Sequence, residues 1–348
     1  MKIAIVTDAW FPQVNGVVTT MSTVVDWLRG EGHLVELIEP GEFRTAPCPG
    51  YPEIRLALNT GAVAARLERF APDRVHVVTE GPLGRAAMAF LRRRGWNHTT
   101  SFHTRFPEYI QARLPFIPLS WGYEVLRRFH ESSQAVLVPT AGMARELEGR
   151  GFRSPVVWGR GVDTTVFSPD AAREAPLSEL AGVEGPVALY VGRLAAEKNV
   201  EAFLDMPWPG LRVAVGDGPD RARLQRDYPE ALFPGYRRGR DLARWYASAD
   251  VFVFPSRTDT FGVVMLEAMA CGTPVAAYPV TGPVDVVRDG LTGRLDENLE
   301  VAAWQALWLS RHDCRRAAEE HDRRAMAAAF LEHTAPVGDT AQLMGMAT

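Results

Sequence analysis

Pro255-Ser256-Arg257-Thr258-Asp259-Thr260-Phe261-Gly262-Val263-Val264-Met265-Leu266-Glu267-Ala268-Met269-Ala270-Cys271-Gly272 lies between two apolar runs, Val251–Phe254 and Pro274–Ala277. A short run of Val and Phe reads as a buried strand, the polar stretch after it as a loop, and the segment from Gly262 as a helix. That helix is apolar nearly all round, so it is expected to be buried. Glu267 is its only charge, and a lone buried carboxylate needs a partner. Vicinal hydroxyls of a ligand would serve, and so would neighbouring backbone or an arginine; the helix alone leaves both readings open. Asp259, eight residues earlier, is an ordinary helix N-cap or a ligand contact. The amides of Phe261, Gly262 and Val263 open the helix, where an anion is favoured, and Gly262 permits close approach.

The same alternation extends outward in both directions. Val187–Val191, Leu211–Val215 and Ala231–Phe233 precede the run at Val251, while Ile3–Thr7, Leu34–Ile38, Arg74–Thr79, Thr99–Phe102, Ala135–Pro139 and Pro155–Trp158 occupy the first half. Helix-length segments separate them, which predicts α/β architecture with parallel sheets. A stretch rich in Pro, Ala, Ser and Glu from Ser168 to Pro186 divides two such series, and 348 residues suit two domains. Val301–His333 reads as helices that return to the first unit.

Composition excludes several classes. Hydrophobic residues make up 47% and charged residues 23%, ordinary for a globular chain. No run is long and apolar enough to span a membrane, and the N-terminus enters a strand without a signal-peptide pattern, so a cytoplasmic protein is expected. Three scattered cysteines make neither a disulfide framework nor a metal-ligand set. Residues 1–163 carry +3 and the remainder −7, too little asymmetry to imply nucleic acid. The loop from Asp8 to Gly16 lacks the dinucleotide glycine fingerprint, and no phosphate-binding Walker loop is present, which disfavours an NAD-dependent oxidoreductase.

Of 38 basic residues only Lys2 and Lys198 are lysine. Lys198 stands in Gly192-Arg193-Leu194-Ala195-Ala196-Glu197-Lys198-Asn199, directly after a strand of the second series. Arg193 and Lys198 there suit a diphosphate, one by its fork and one as a compact charge; surface charge beside a helix start is the alternative.

GRLAAEKN at 192–199 with SRTDTFGVVMLEAMACGTPVAA at 256–277 closely resembles glycosyltransferase family 4, the retaining transferases of GT-B fold. TDAWFPQVNGVVTT at 7–20, SFHTRFPEY at 101–109, RGVDTTVFSP at 160–169, VGDGP at 215–219 and ARWYASADVFVFPS at 243–256 extend the likeness over roughly residues 1–295. The resemblance implies two Rossmann-like domains with parallel sheets facing across a cleft. An acceptor-binding domain of residues 1–165 would be joined by the C-terminal helix, about 325–348, and a donor domain would span 166–324. It further implies that Arg193 and Lys198 bind the donor diphosphate, Glu267 the ribose, and Asp259 the donor sugar beside the backbone of Phe261, Gly262 and Val263. Gly16 would approach the phosphates, Asp217 would join the donor site, and His103 would stand near the sugar. The family acid is usually Glu where this chain has Asp259, so the donor sugar is left open.

The implied activity is retaining, metal-independent transfer of a hexosyl or hexuronosyl group, without cofactor. The donor would be a UDP-sugar, with GDP-mannose as the alternative. The acceptor would be a membrane lipid such as diacylglycerol, or a saccharide. Apolar and basic residues alternating from Arg105 to His130 suit peripheral membrane contact or a lipid-binding entrance, and equally a core helix with a solvated end; Arg105 is a candidate partner for a hexuronic carboxylate. A GT-B epimerase or a silent nucleotide-sugar sensor would use the same donor site.

Overall fold

The computed structural model describes residues 1–13, 15–48, 51–114, 116–174, 182 and 184–338. The chain divides into two compact units, Met1–Gly159 with Arg324–Thr348, and Arg160–Arg323. Residues 339–348, part of the expected C-terminal helix, lie outside the described residues, as do residues 175–181 and 183 of the stretch between Ser168 and Pro186.

In the first unit, β1 (Lys2–Val6), β2 (Leu34–Ile38), β5 (Arg74–Val77), β6 (Thr99–Ser101), β7 (Ala135–Val138) and β8 (Pro155–Val157) form a parallel sheet in the order β2-β1-β5-β6-β7-β8. β3 (Thr45–Cys48) and β4 (Tyr51–Ala57) form a separate antiparallel hairpin. Sequence reading missed this hairpin because prolines at 47, 49 and 52 mask its strand signal. Ile3, Ile5, Met21, Val24 and Leu28 are buried together with Trp158 on one face of the sheet. The Arg323–His333 helix closes that face with Met326, Ala327 and Phe330, and the Trp158 indole Nε1–H donates to the Met326 carbonyl at 2.9 Å.

In the second unit, β9 (Ala188–Val191), β10 (Arg212–Val215), β11 (Leu232–Gly235), β12 (Val251–Phe254), β13 (Val275–Ala277) and β14 (Gly293–Leu295) are parallel, in the order β11-β10-β9-β12-β13-β14. Numbered within the unit this is 3-2-1-4-5-6, the doubly wound order of nucleotide-binding sheets. The chain reverses its direction of travel across the sheet between β9 and β12. Ligands of such sheets bind at the carboxyl ends of the strands flanking that reversal. The loops that leave β9 and β12 are Gly192–Asn199 and Pro255–Gly262. Topology thus brings together two segments that lie about sixty residues apart in sequence. Among the described residues, no helix is long and apolar enough to cross a membrane.

Candidate functional site

Three loops meet at the carboxyl end of the second sheet. The turn after β10 lies so close to the loop after β9 that a Cβ on Gly216 would sit 1.8 Å from the Gly192 carbonyl oxygen, and one on Gly218 2.3 Å from that of Leu194. The Leu194 amide donates to the Asp217 carbonyl at 2.9 Å, and the Asp220 amide to the Leu194 carbonyl at 3.0 Å. The glycines of VGDGP therefore allow two backbones to touch. The Asp217 side chain is exposed and accepts from the Gly218 amide at 2.8 Å, with Arg221 at 3.5 Å. Its carboxylate serves its own turn.

The loop after β9 is laced to the loop after β12. Asn199, at φ 54°, donates through Nδ2 to the Pro255 carbonyl at 3.1 Å, and Thr258 Oγ1 donates to the Glu197 carbonyl at 3.4 Å. Lys198 Nζ forms an ion pair with Asp259, both side chains largely covered. Arg193 lies 3.8 Å from Glu197, and its backbone carbonyl accepts from the buried Tyr190 hydroxyl at 2.7 Å. Arg193, Lys198 and Asp259 thus stand on one small framework. Sequence reading gave Asn199 and Thr258 no role, because their partners are backbone carbonyls on a distant loop.

Asp259 does not cap the helix that follows. Gly262 occupies the cap position of the Val263–Ala270 helix at φ 85°, a conformation open mainly to glycine. A Cβ there would also come within 2.8 Å of Met265 Cε and Phe254 Cζ. Behind the loop, a Cβ on Gly282 would sit 2.9 Å from the Asp259 carbonyl, so the 259–261 backbone is held from that side. Phe261 is buried, while Gly262 and Val263 remain partly accessible.

Glu267 lies one turn further along this helix and retains some exposed surface. Its surroundings are apolar enough that burial raises its carboxyl pKa to about 7. The partner is neither backbone nor arginine: the Tyr246 hydroxyl donates to Oε2 at 3.0 Å.

In the first unit, Gly16 opens the Gly16–Gly30 helix, where Asn15 Oδ1 accepts from the amides of Val17 and Val18 at 3.0 Å. A Cβ on Gly16 would meet nothing within 4 Å. His103 follows β6, half-buried, its ring 6.4 Å from Trp158 in edge-on contact. Arg105 is already engaged by carboxylates: Nη2 is 2.5 Å from Glu146 and Nη1 3.7 Å from Glu108, which also accepts from Tyr123 at 2.6 Å. Those two acids face it from the Phe106–Arg113 and Ala141–Gly149 helices, and the hexuronic-carboxylate reading of Arg105 is left without support.

Residues 14–166 match the family profile described as Glycosyltransferase Family 4, and residues 185–310 the one described as Glycosyl transferases group 1. A GDP-mannose-dependent alpha-mannosyltransferase of Mycobacterium tuberculosis is 33% identical across 85% of this chain and 83% of that protein. One from Corynebacterium glutamicum is 30% identical across 97% and 89%. The sulfoquinovosyl transferase SQD2 of Arabidopsis thaliana is 30% identical over 82% of this chain and 61% of that one. Among solved structures, sucrose-phosphate synthase of Thermosynechococcus elongatus superposes with a TM-score of 0.76 at 21% identity, covering 99% of this chain and 100% of the other. Anabaena HepE, solved with UDP, gives 0.70 at 17%, covering 95% and 99%. Two open parallel sheets, the loops gathered at the second sheet's reversal and relatives aligned along nearly the whole length agree: the chain belongs to glycosyltransferase family 4 and has the GT-B fold.

Proposed function

We propose that this chain transfers a hexosyl group, with retention of anomeric configuration, from a nucleotide-sugar to a hydroxyl of a membrane lipid. The observation that carries the reading is the Lys198–Asp259 pair at the reversal of the second sheet, with Arg193 on the loop of Lys198 and Glu267 one turn into the helix that follows Asp259. In this reading Glu267 holds the ribose, Asp259 the sugar, and Arg193 and Lys198 the diphosphate, aided by the amides of Phe261, Gly262 and Val263. Negative charge growing on the leaving diphosphate meets fixed positive potential, which lowers the barrier without a carboxylate pair flanking the bond. The leaving phosphate takes the acceptor's proton, and no metal ion is required. His103 and Gly16 are assigned to the sugar and the phosphates on the family likeness. Asp217 contributes backbone, since its carboxylate is occupied within its own turn.

GDP-mannose is the favoured donor, because relatives of 30% identity and above include GDP-mannose-dependent alpha-mannosyltransferases. A UDP-sugar is the second reading for the donor. The names of the sulfoquinovosyl transferase and, at 25% identity, of an alpha-monoglucosyldiacylglycerol synthase of Streptococcus pneumoniae support a glycosyl donor other than mannose, and the latter name a diacylglycerol product. A lipid acceptor is supported by the exposed Phe106, Ile110, Phe116, Trp121 and Val125 of the first unit. Incubation with GDP- and UDP-sugars and a mixed lipid extract, in chelator, should yield a glycolipid detected by mass spectrometry, with its anomer read by NMR. Product on soluble acceptors alone would remove the lipid, an inverted anomer would remove retention, and strict dependence on Mg²⁺ or Mn²⁺ would remove metal independence.

A further inference from the structure

We infer that Tyr246 is a positioning residue for the donor nucleoside: its hydroxyl fixes one oxygen of Glu267 so that the other faces the ribose. This rests on the assignment of Glu267 to the ribose. Tyr246 belongs to the Gly239–Ser248 helix, twenty-one residues before Glu267, and has no exposed surface. Its ring is gripped edge-on by Phe167 at 6.0 Å and Phe252 at 5.5 Å between centroids. Its backbone carbonyl accepts from Thr273 Oγ1 at 2.6 Å. With ring and backbone both fixed, the phenolic O–H has a set direction, and it meets Glu267 Oε2 at 3.0 Å.

A carboxylate on an apolar helix has little else to orient it. A loose Glu267 would present either oxygen, or neither, to a pair of vicinal hydroxyls. Tyr246 stays protonated throughout the neutral range, because burial and the neighbouring carboxylate raise it well above 10. It is therefore a donor whether or not Glu267 is charged, and its bond favours the charged form. The other ionisable groups acting on the pair hold fixed states near pH 7. Burial pushes Cys271 up to about 12, against the opposing pull of the Arg315 and Arg311 guanidiniums, and raises Tyr190 far above its ordinary value. Glu267 alone titrates in this range, and Tyr246 alone among the groups acting on it donates to it.

The test is nucleotide binding by calorimetry, with GDP and UDP each compared with the 2′,3′-dideoxy counterpart, for wild type, Y246F and Glu267→Ala. Removing one hydrogen bond to a charged group should weaken the ribonucleotide about tenfold and leave the dideoxy form unchanged. Ribose discrimination then collapses in Y246F as in Glu267→Ala, with KM for the donor raised and kcat within about threefold. The acidic limb of kcat/KM should move upward in Y246F, because the carboxylate has lost its stabilising donor. If Glu267→Ala loses discrimination and Y246F retains it, the positioning role is overturned and the ribose assignment stands. If Glu267→Ala retains it, the assignment itself falls and the inference with it. Should Y246F fail to fold, a fluorinated tyrosine placed at 246, a stronger donor of similar shape, must shift the limb downward; no shift overturns the role.

Discussion

Replacing Lys198 by Ala separates two consequences that the structure makes calculable. The ammonium is paired with Asp259, and the two side chains are 23% and 17% exposed. Removing one member of a fully buried pair costs about 3–5 kcal/mol, whereas an exposed pair is worth about 0–1 kcal/mol. With a fifth of each side chain still in solvent, the loss of stability should be about 1–2 kcal/mol. In a unit of this size that lowers Tm by roughly 2–8 °C. Catalysis should suffer more. A preorganised donor aimed at developing charge is worth about 10²–10³ in rate, and under the proposed assignment Lys198 supplies a full charge where the diphosphate leaves. Asp259→Asn supplies the opposing arm. It releases the same ammonium from its carboxylate, so affinity for a nucleoside diphosphate should rise even as transfer falls through the lost sugar contact. Calorimetry with GDP and UDP, beside initial rates and thermal melts, reads all of these quantities. If K198A keeps turnover within threefold of wild type while the melt moves as expected, Lys198 is a structural cation and the diphosphate assignment is wrong.

Four further outcomes follow from the same structure. Burial raises the Glu267 carboxyl to about 7, so the folded state binds its proton more tightly than the unfolded chain and this group's contribution to stability falls as pH rises from about 4.5 to 7. Glu267→Gln should therefore raise Tm more at pH 8 than at pH 5; an equal change at both would refute the shift. Gly262→Ala forces a Cβ into a conformation at φ 85° and against Phe254, and should cost about 1–3 kcal/mol in a denaturant titration. Gly16→Ala meets nothing within its own unit, so an unchanged melt with impaired transfer would mark ligand approach, and unimpaired transfer would remove Gly16 from the site. Phe116 and Trp121 are 79% and 69% exposed, and replacing both with Ser should reduce sedimentation with anionic vesicles at least tenfold without lowering Tm; unchanged sedimentation would refute membrane contact.

What could be read beforehand was whatever local pattern dictates. The apolar run Val251–Phe254 became a strand at those bounds, because burial on both faces writes a continuous signal into the chain, and Leu34–Ile38 did so at the partly covered edge of the first sheet. The three-residue β14, Gly293–Leu295, was too short to leave one. The candidate site could be read as a set of residue types and not as a set of pairs. Lys198 and Asp259 were each assigned to a different part of the donor, yet they lie 61 positions apart in sequence and meet because the sheet reverses between β9 and β12. Tyr246 stood within a matching motif without a role, since its partner is on another helix. Arg105 shows the reverse error: a cation at a strand end looked available until two helices brought Glu108 and Glu146 to it.

The Lys198–Asp259 pairing changes how donor choice should be understood. The two groups neutralise each other, so under the proposed assignment a diphosphate must compete with Asp259 for the ammonium. The gain from that contact is the difference between two ion pairs, smaller than the full attraction of a bare lysine. A carboxylate released from Lys198 then needs new partners, and sugar hydroxyls at the mouth of the helix can supply them. On the proposed assignments, binding the nucleotide and recognising the sugar would in this way be coupled through one side chain. A glutamate at 259, one methylene longer, would alter the reach of that carboxylate toward both Lys198 and the sugar. Asp259→Glu should accordingly change the ranking of donor sugars while leaving affinity for the free nucleotide within about threefold, whereas an unchanged ranking would uncouple Asp259 from sugar choice.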